Sequence, residues 1–184
     1  VAATSDCGSY VALSSACKSL AVKLTKVCND LRLLASGPRT GLSELVLPQL
    51  QPGSSIMPGK VNPVIPEVTN QASFLAIGLD TTVMLAASAG QLELNVMEPV
   101  ITFALYLQMK VLSNACTALR EKCVEGIVIN ADHCKDLVMG SLGIVTLLKP
   151  HFGYKPCANV AREGFLTGKS LHCLLYTSPS PRDT

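Results

Sequence analysis

Val68-Thr69-Asn70-Gln71-Ala72-Ser73-Phe74-Leu75-Ala76-Ile77-Gly78-Leu79-Asp80-Thr81-Thr82-Val83-Met84-Leu85-Ala86-Ala87-Ser88-Ala89-Gly90-Gln91-Leu92 decides the architecture, because Asp80 is its only charge. The span is long enough to cross a bilayer. Yet Thr69, Asn70, Gln71, Ser73, Thr81, Thr82, Ser88 and Gln91 put too many polar groups on it for a lipid-facing surface. A helix with little charge on any side and polar groups throughout is one buried among other helices. Pro99 to Leu119, where Lys110 is the only charge, reads the same way. The fold expected is all-α, part of a long-helix central bundle.

Working outward, apolar residues at Val11, Leu13, Leu20, Val22, Leu24, Val27, Leu31 and Leu34 step mostly by three and four. They predict one amphipathic helix over 9–34, stopped by Ser36-Gly37-Pro38. Residues 36–62 are rich in Gly and Pro and predict a long ordered loop, a length that in a compact domain usually carries function. A second helix is expected from about 62–66 to Ser88, with Asn62 as cap, Pro63 at its first position and Glu67 favouring its N-terminus. A third runs from Glu98-Pro99 to about Glu125, with Gly126 as the stop. Beyond Gly126 shorter segments broken by Gly and Pro predict a small C-terminal helical subdomain. The domains expected are therefore 1–126, part of the central bundle, and 127–172, the subdomain. Residues 173–184 resemble a translated sequencing-library adapter and are set aside from fold reasoning.

The 184 residues are 48% hydrophobic but only 4% aromatic, with no tryptophan. Net charge is +2 with the basic residues scattered, so no footprint for nucleic acid is present. Eight cysteines contain no Cys-x-x-Cys pair and read as free thiols of a reducing, cytoplasmic compartment. No signal-peptide n-region or h-region is visible. The chain does not begin with Met and starts in mid-pattern, so it is expected to be a fragment of a longer protein.

Chemistry concentrates at Gly53-Ser54-Ser55-Ile56-Met57-Pro58-Gly59-Lys60-Val61-Asn62-Pro63. Gly53 and Gly59 allow the backbone to bend and Pro58 and Pro63 restrict it. Lys60 supplies a point positive charge and Asn62 a donor and an acceptor beside it. Such a loop can close over a small anion and present a serine to it.

The same eleven residues resemble, position by position, the signature of the fumarase/aspartase superfamily. Asn29-Asp30-Leu31-Arg32, Ser36-Gly37-Pro38-Arg39 with Gly41, and Gly90 through Val100 extend the resemblance over about residues 9–171. Val64-Ile65-Pro66-Glu67-Val68 followed by Asn70-Gln71, Gln91-Leu92-Glu93 and Met97-Glu98-Pro99 are closer to its aspartase branch than to class II fumarases. The resemblance implies carbon–nitrogen lyase chemistry, the anti-elimination of ammonia from aspartate to give fumarate. It implies Ser54 as catalytic base, Ser55, Lys60 and Asn62 as substrate-binding residues, and Glu67 as a supporting carboxylate. It further implies no metal in the site and no organic cofactor; a divalent cation such as Mg could activate, with no ligand assignable. The partners implied are a small dicarboxylate and three further copies in a homotetramer. Active sites in the superfamily draw on three regions from different subunits, and this chain carries one, so alone it is expected to be inactive. The alternatives are a class II fumarase, or a non-catalytic helical structural protein of the kind found among lens crystallins.

Overall fold

The computed structural model describes residues 2–51, 53, 57, 60–170 and 173–174. The chain divides into two compact units, 1–129 and 130–184.

The first unit is built on three long helices, α2 (Gly8–Leu34), α3 (Val64–Ser88) and α4 (Glu98–Lys122), after a short α1 (Ala2–Ser5). Helix α3 is the middle member and packs along both α2 and α4. Small side chains (Ala21, Ala76, Ala86, Ala104, Ala115) are buried along the contacts, so the backbones approach closely. At one end Val83, Ile101 and Leu105 pack around Cys7, and at the other Cys28, Leu119 and Cys123 do so.

The buried stripe of α3 is largely polar: Thr69, Asn70, Ser73 and Asp80 alternate with Ala76, Val83 and Ala86. Ser14 Oγ donates to Asp80 Oδ1 at 2.8 Å and Lys18 Nζ to Asp80 Oδ2 at 2.5 Å. Desolvation pushes the Asp80 carboxyl up; the hydrogen bonds from Lys18 and Ser14 and the Lys18 charge outweigh it and hold the group below its ordinary value. The fully buried Gln108 of α4 donates from Nε2 to the Ala76 carbonyl at 3.0 Å and the Ser14 carbonyl at 3.3 Å, so one side chain ties all three helices. Large apolar side chains of α3, by contrast, face outward: Phe74, Leu75, Met84 and Leu85 are each about half exposed or more. By length and composition α3 could cross a membrane; within this fold Asp80 and Asn70 bond side chains of α2, and the Ala76 carbonyl accepts from Gln108 of α4.

Predicted and observed helices agree closely in extent, with two differences. Helix α4 ends at Lys122 rather than near Glu125 with Gly126 as the stop, because Cys123, at φ −130° and ψ −66°, leaves the helix before a 3₁₀ turn over Val124–Gly126. The start of α3 differs as well. Pro63, at φ −79° and ψ 59°, is the cap, and Asn62 makes no side-chain capping bond. The non-helical ψ of Pro63 turns the chain before Val64, whose N–H bonds the Asn62 carbonyl at 2.9 Å. Pro66 is tolerated because first-turn amides have no intrahelical acceptor. The 3–4 turn between α3 and α4 is held by Asn95, which is 1% exposed. Its Nδ2 donates to the Ala86 and Ala87 carbonyls at 3.0 and 3.1 Å, and its Oδ1 accepts the Met97 N–H at 2.9 Å. Two-residue strands β1 (Leu45–Val46) and β2 (Val128–Ile129) pair antiparallel, Leu45 with Ile129 and Val46 with Val128. Sequence alone predicts neither, since two residues carry no period. A Cβ on Gly126 would stand 2.5 Å from Pro48 Cγ, so the glycine that closes the 3₁₀ turn after α4 also makes room for the loop.

The second unit holds α5 (Ala131–Gly140), a 3₁₀ segment (Leu142–Leu148), α6 (Lys149–Phe152) and α7 (Tyr154–Thr167). Val145 and Cys157 form its core with Ile144, Leu148, Val160 and Ala161. Leu174 is fully buried, and a Cβ on Gly164 would meet it at 3.2 Å. Residues 175–184 lie outside the described residues. None of the eight cysteines forms a disulfide, and Cys7, Cys28, Cys123 and Cys157 are buried.

Candidate functional site

The loop limb entering the site is shaped by Ser36. Its Oγ donates to the Leu33 carbonyl at 2.5 Å and accepts the Leu42 N–H at 3.1 Å, while its carbonyl accepts the Ser43 N–H at 2.7 Å. Gly37 sits at φ 138°, open to glycine and poorly to other residues. A Cβ on Gly41 would lie 2.3 Å from the Ser36 carbonyl carbon. The Ser-Gly-Pro-Arg-Thr-Gly string is thus a closed turn, its glycines placed by steric contact.

A Cβ on Gly53 would stand 2.1 Å from the Lys60 carbonyl oxygen, so Gly53 and Lys60 touch backbone to backbone. The Lys60 N–H bonds the Met57 carbonyl at 3.2 Å. Ser54 and Ser55, the base and hydroxyl contact implied by the resemblance, lie outside the described residues. Lys60 is exposed and Asn62 half-buried. A cleft of about 280 Å³ opens here, lined by Gly37, Pro38, Ser43, Leu45, Lys60 and Pro63 among others. That is near the lower end of the roughly 300–1,000 Å³ of small-molecule sites. Lys60 is its one charged lining residue among those described, which suits it to a small anion.

Glu67 stands in the first turn of α3, its N–H bonded to the Pro63 carbonyl at 3.1 Å. Its Oε1 lies 3.9 Å from Arg32 Nη2 at the end of α2. Arg32 Nη1 donates to Asn29 Oδ1 at 3.5 Å, and the same oxygen accepts Asn70 Nδ2 at 2.8 Å. Sequence reasoning gave Arg32, Asn29 and Asn70 no role, although all three stand in the strings that carry the resemblance. Thr69, beside them, donates to the Ile65 carbonyl at 2.8 Å. Burial pushes the Cys28 thiol up to about 11, so it is protonated and unreactive at neutral pH. Among the described residues no three His, Cys, Asp or Glu side chains gather as a metal site.

A family described as "Lyase" matches residues 1–78. The chain is 55% identical over 172 residues to an aspartate ammonia-lyase of Helicobacter pylori, covering 94% of this chain and 37% of that protein. Among solved structures, a fumarate lyase:delta crystallin from Brucella melitensis bound to cobalt superposes with a TM-score of 0.91 at 46% identity, over 96% of this chain and 38% of that one. A class II fumarase from Schistosoma mansoni superposes with a TM-score of 0.88 at 38% identity, over 94% of this chain and 36% of that one. The chain therefore spans rather more than a third of the length of the curated relatives it matches.

Proposed function

We propose, for a chain that belongs to the lyase family matched by its residues 1–78 and with it to the fumarase/aspartase superfamily, that the protein at its relatives' full length is an aspartate ammonia-lyase. The observation that carries this reading is the 55% identity to the Helicobacter pylori aspartate ammonia-lyase over 94% of the chain. The intact signature and the lysine-lined cleft beside it support the same reading.

The reaction is an anti-elimination. Ser54, as its alkoxide, takes a proton from Cβ of aspartate, and the electron pair left behind spreads into the adjacent carboxylate. That pair then forms the C=C bond of fumarate as the C–N bond breaks and ammonia leaves. A Cβ proton is weakly acidic, so the barrier yields chiefly to positive charge and donors placed where negative charge develops. Lys60 and Asn62 hold a substrate carboxylate, Ser55 adds a hydroxyl contact, and Glu67 supports the site from the first turn of α3. A serine hydroxyl needs its alkoxide stabilised to act as a base, and the loop's backbone N–H groups are the source assigned to this. The reaction draws on no organic cofactor; a divalent cation would act as activator only.

The outward apolar faces of α2, α3 and α4, among them Val22, Phe74, Leu85 and Phe103, suit burial against further copies in a homotetramer. The partner set is then the dicarboxylate and these copies, without nucleic acid or membrane. Eight cysteines without a disulfide fit the reducing cytoplasm. Class II fumarase is the second reading, favoured by the TM-score of 0.88 to the Schistosoma mansoni enzyme. Turnover assays at full length with aspartate and with malate separate the two: ammonia release from aspartate is expected, and turnover of malate alone would replace the first reading by the second.

A further inference from the structure

Two pairs of side chains, each three residues apart and so on one helix face, meet where α2 ends and α3 begins. Asn29 and Arg32 come from α2, Glu67 and Asn70 from α3. Asn29 Oδ1 is the hub. It accepts Asn70 Nδ2 at 2.8 Å and Arg32 Nη1 at 3.5 Å, and the other guanidinium nitrogen of Arg32 lies 3.9 Å from Glu67 Oε1. Asn70 is 5% exposed and its own Oδ1 has no hydrogen-bond partner, so its orientation rests on the single bond to Asn29. Arg32 is the group that makes Asn29 present an oxygen here, because two donors need one acceptor between them. The chain Glu67–Arg32–Asn29–Asn70 runs from the first turn of α3, which follows Pro63 of the cleft lining, into the buried seam of the bundle.

This arrangement does little for stability. The Arg32 and Glu67 side chains are 43% and 40% exposed, and a pair that open and that far apart is heavily screened. It is well made for orientation. The two terminal nitrogens of the guanidinium fork have different partners, a task the single ammonium of lysine performs only in part. The charges also sit at the helix ends that favour them, Arg32 in the last turn of α2 and Glu67 in the first turn of α3. Through the bond from the Glu67 N–H to the Pro63 carbonyl, that turn continues into the strand of chain carrying Asn62 and Lys60.

We infer that Arg32 is a positioning residue of this site, holding the Glu67 carboxylate in place against the Asn29–Asn70 bond of the bundle. The inference rests on the superfamily reaction proposed above and deepens it. The test uses the protein at its relatives' full length, with Arg32→Gln, Arg32→Lys, Glu67→Gln and the double variant Arg32→Gln/Glu67→Gln. Arg32→Gln is expected to lower kcat roughly 10- to 100-fold, the scale that misplacing a supporting group produces, with KM changed less than about threefold because Lys60 and Asn62 still hold substrate. Arg32→Lys should recover part of that loss by restoring the charge. The double variant should match Glu67→Gln within about twofold, since Arg32 acts only through Glu67. A kcat for Arg32→Gln within twofold of the unsubstituted protein would overturn the inference. So would losses that simply multiply in the double variant, or a loss that Arg32→Lys does not relieve and that tracks a lower Tm. If malate rather than aspartate is turned over, the aspartase reading alone fails, and the same four variants are read on malate with the same expectations.

Discussion

Gly53→Ala is the sharpest perturbation available, because its effect follows from one distance. The added Cβ would fall 2.1 Å from the Lys60 carbonyl oxygen and 3.0 Å from the Lys60 carbonyl carbon and amide nitrogen. All three are backbone atoms that no side-chain rotation can remove. To restore even a tight contact the two strands of the loop must part by about 1 Å, and Lys60 must move with its own backbone. A displacement of that size at a substrate-holding group slows turnover on the order of 100-fold. Gly78→Ala is the matched control: nothing lies within 4 Å of its Cβ, in the middle of α3. There the substitution should stabilise by about 0.5–1 kcal/mol through helix propensity and leave turnover alone. The assay is steady-state ammonia release by the full-length protein carrying each change, with thermal unfolding in parallel. A Gly53→Ala protein with kcat and KM within threefold of the original would refute the backbone contact, and with it the placement of Lys60.

Other expectations are simpler to state. Ser54→Ala should reduce kcat by at least 10²-fold with assembly intact, the contribution of a general base being about 10²- to 10⁴-fold; Lys60→Ala should raise KM and lower kcat together, and unchanged kinetics would make Lys60 a surface charge. The depressed Asp80 carboxyl contributes stability that is complete above the ordinary carboxylate value of about 3.9 and is lost as pH falls through its lower folded value. The Tm gap between the original protein and Asp80→Asn should therefore narrow below about pH 4, and a gap independent of pH would contradict the hydrogen-bonded ion pair. Cys28, pushed up to about 11, should resist a disulfide reagent at pH 8 while the exposed Cys173 reacts at once; equal rates would show that the α2–α3 contact opens. Leu85→Glu, on the outward face of α3 where the side chain is 60% exposed, should split the full-length assembly in light scattering; an unchanged mass would place the subunit contacts elsewhere.

The three long helices and the loop between the first two were legible from local rules, three- and four-residue steps and a glycine and proline after α2; the cap of α3 and the end of α4 at Lys122 were not. The superfamily signature needs no tertiary argument either, since eleven residues in unusual order carry it. Low charge in 68–92 indicates a helix that is covered, but it cannot say which side is covered by what. Only the packing reveals that α3 turns Thr69, Asn70, Ser73 and Asp80 inward and Phe74 and Leu85 outward. That choice is made by Ser14, Lys18 and Asn29 on α2, bonded to Asp80 and Asn70, and by Gln108 on α4, bonded to the Ala76 carbonyl, partners 32 to 66 residues away along the chain. The same holds for the two-residue ribbon joining Leu45 to Ile129, and for Arg32 reaching Glu67 across the loop. Such contacts leave no period in the sequence, because a hydrogen bond between distant residues constrains each of them singly. Helix periodicity is a property of neighbours; the site's support is a property of the packed bundle.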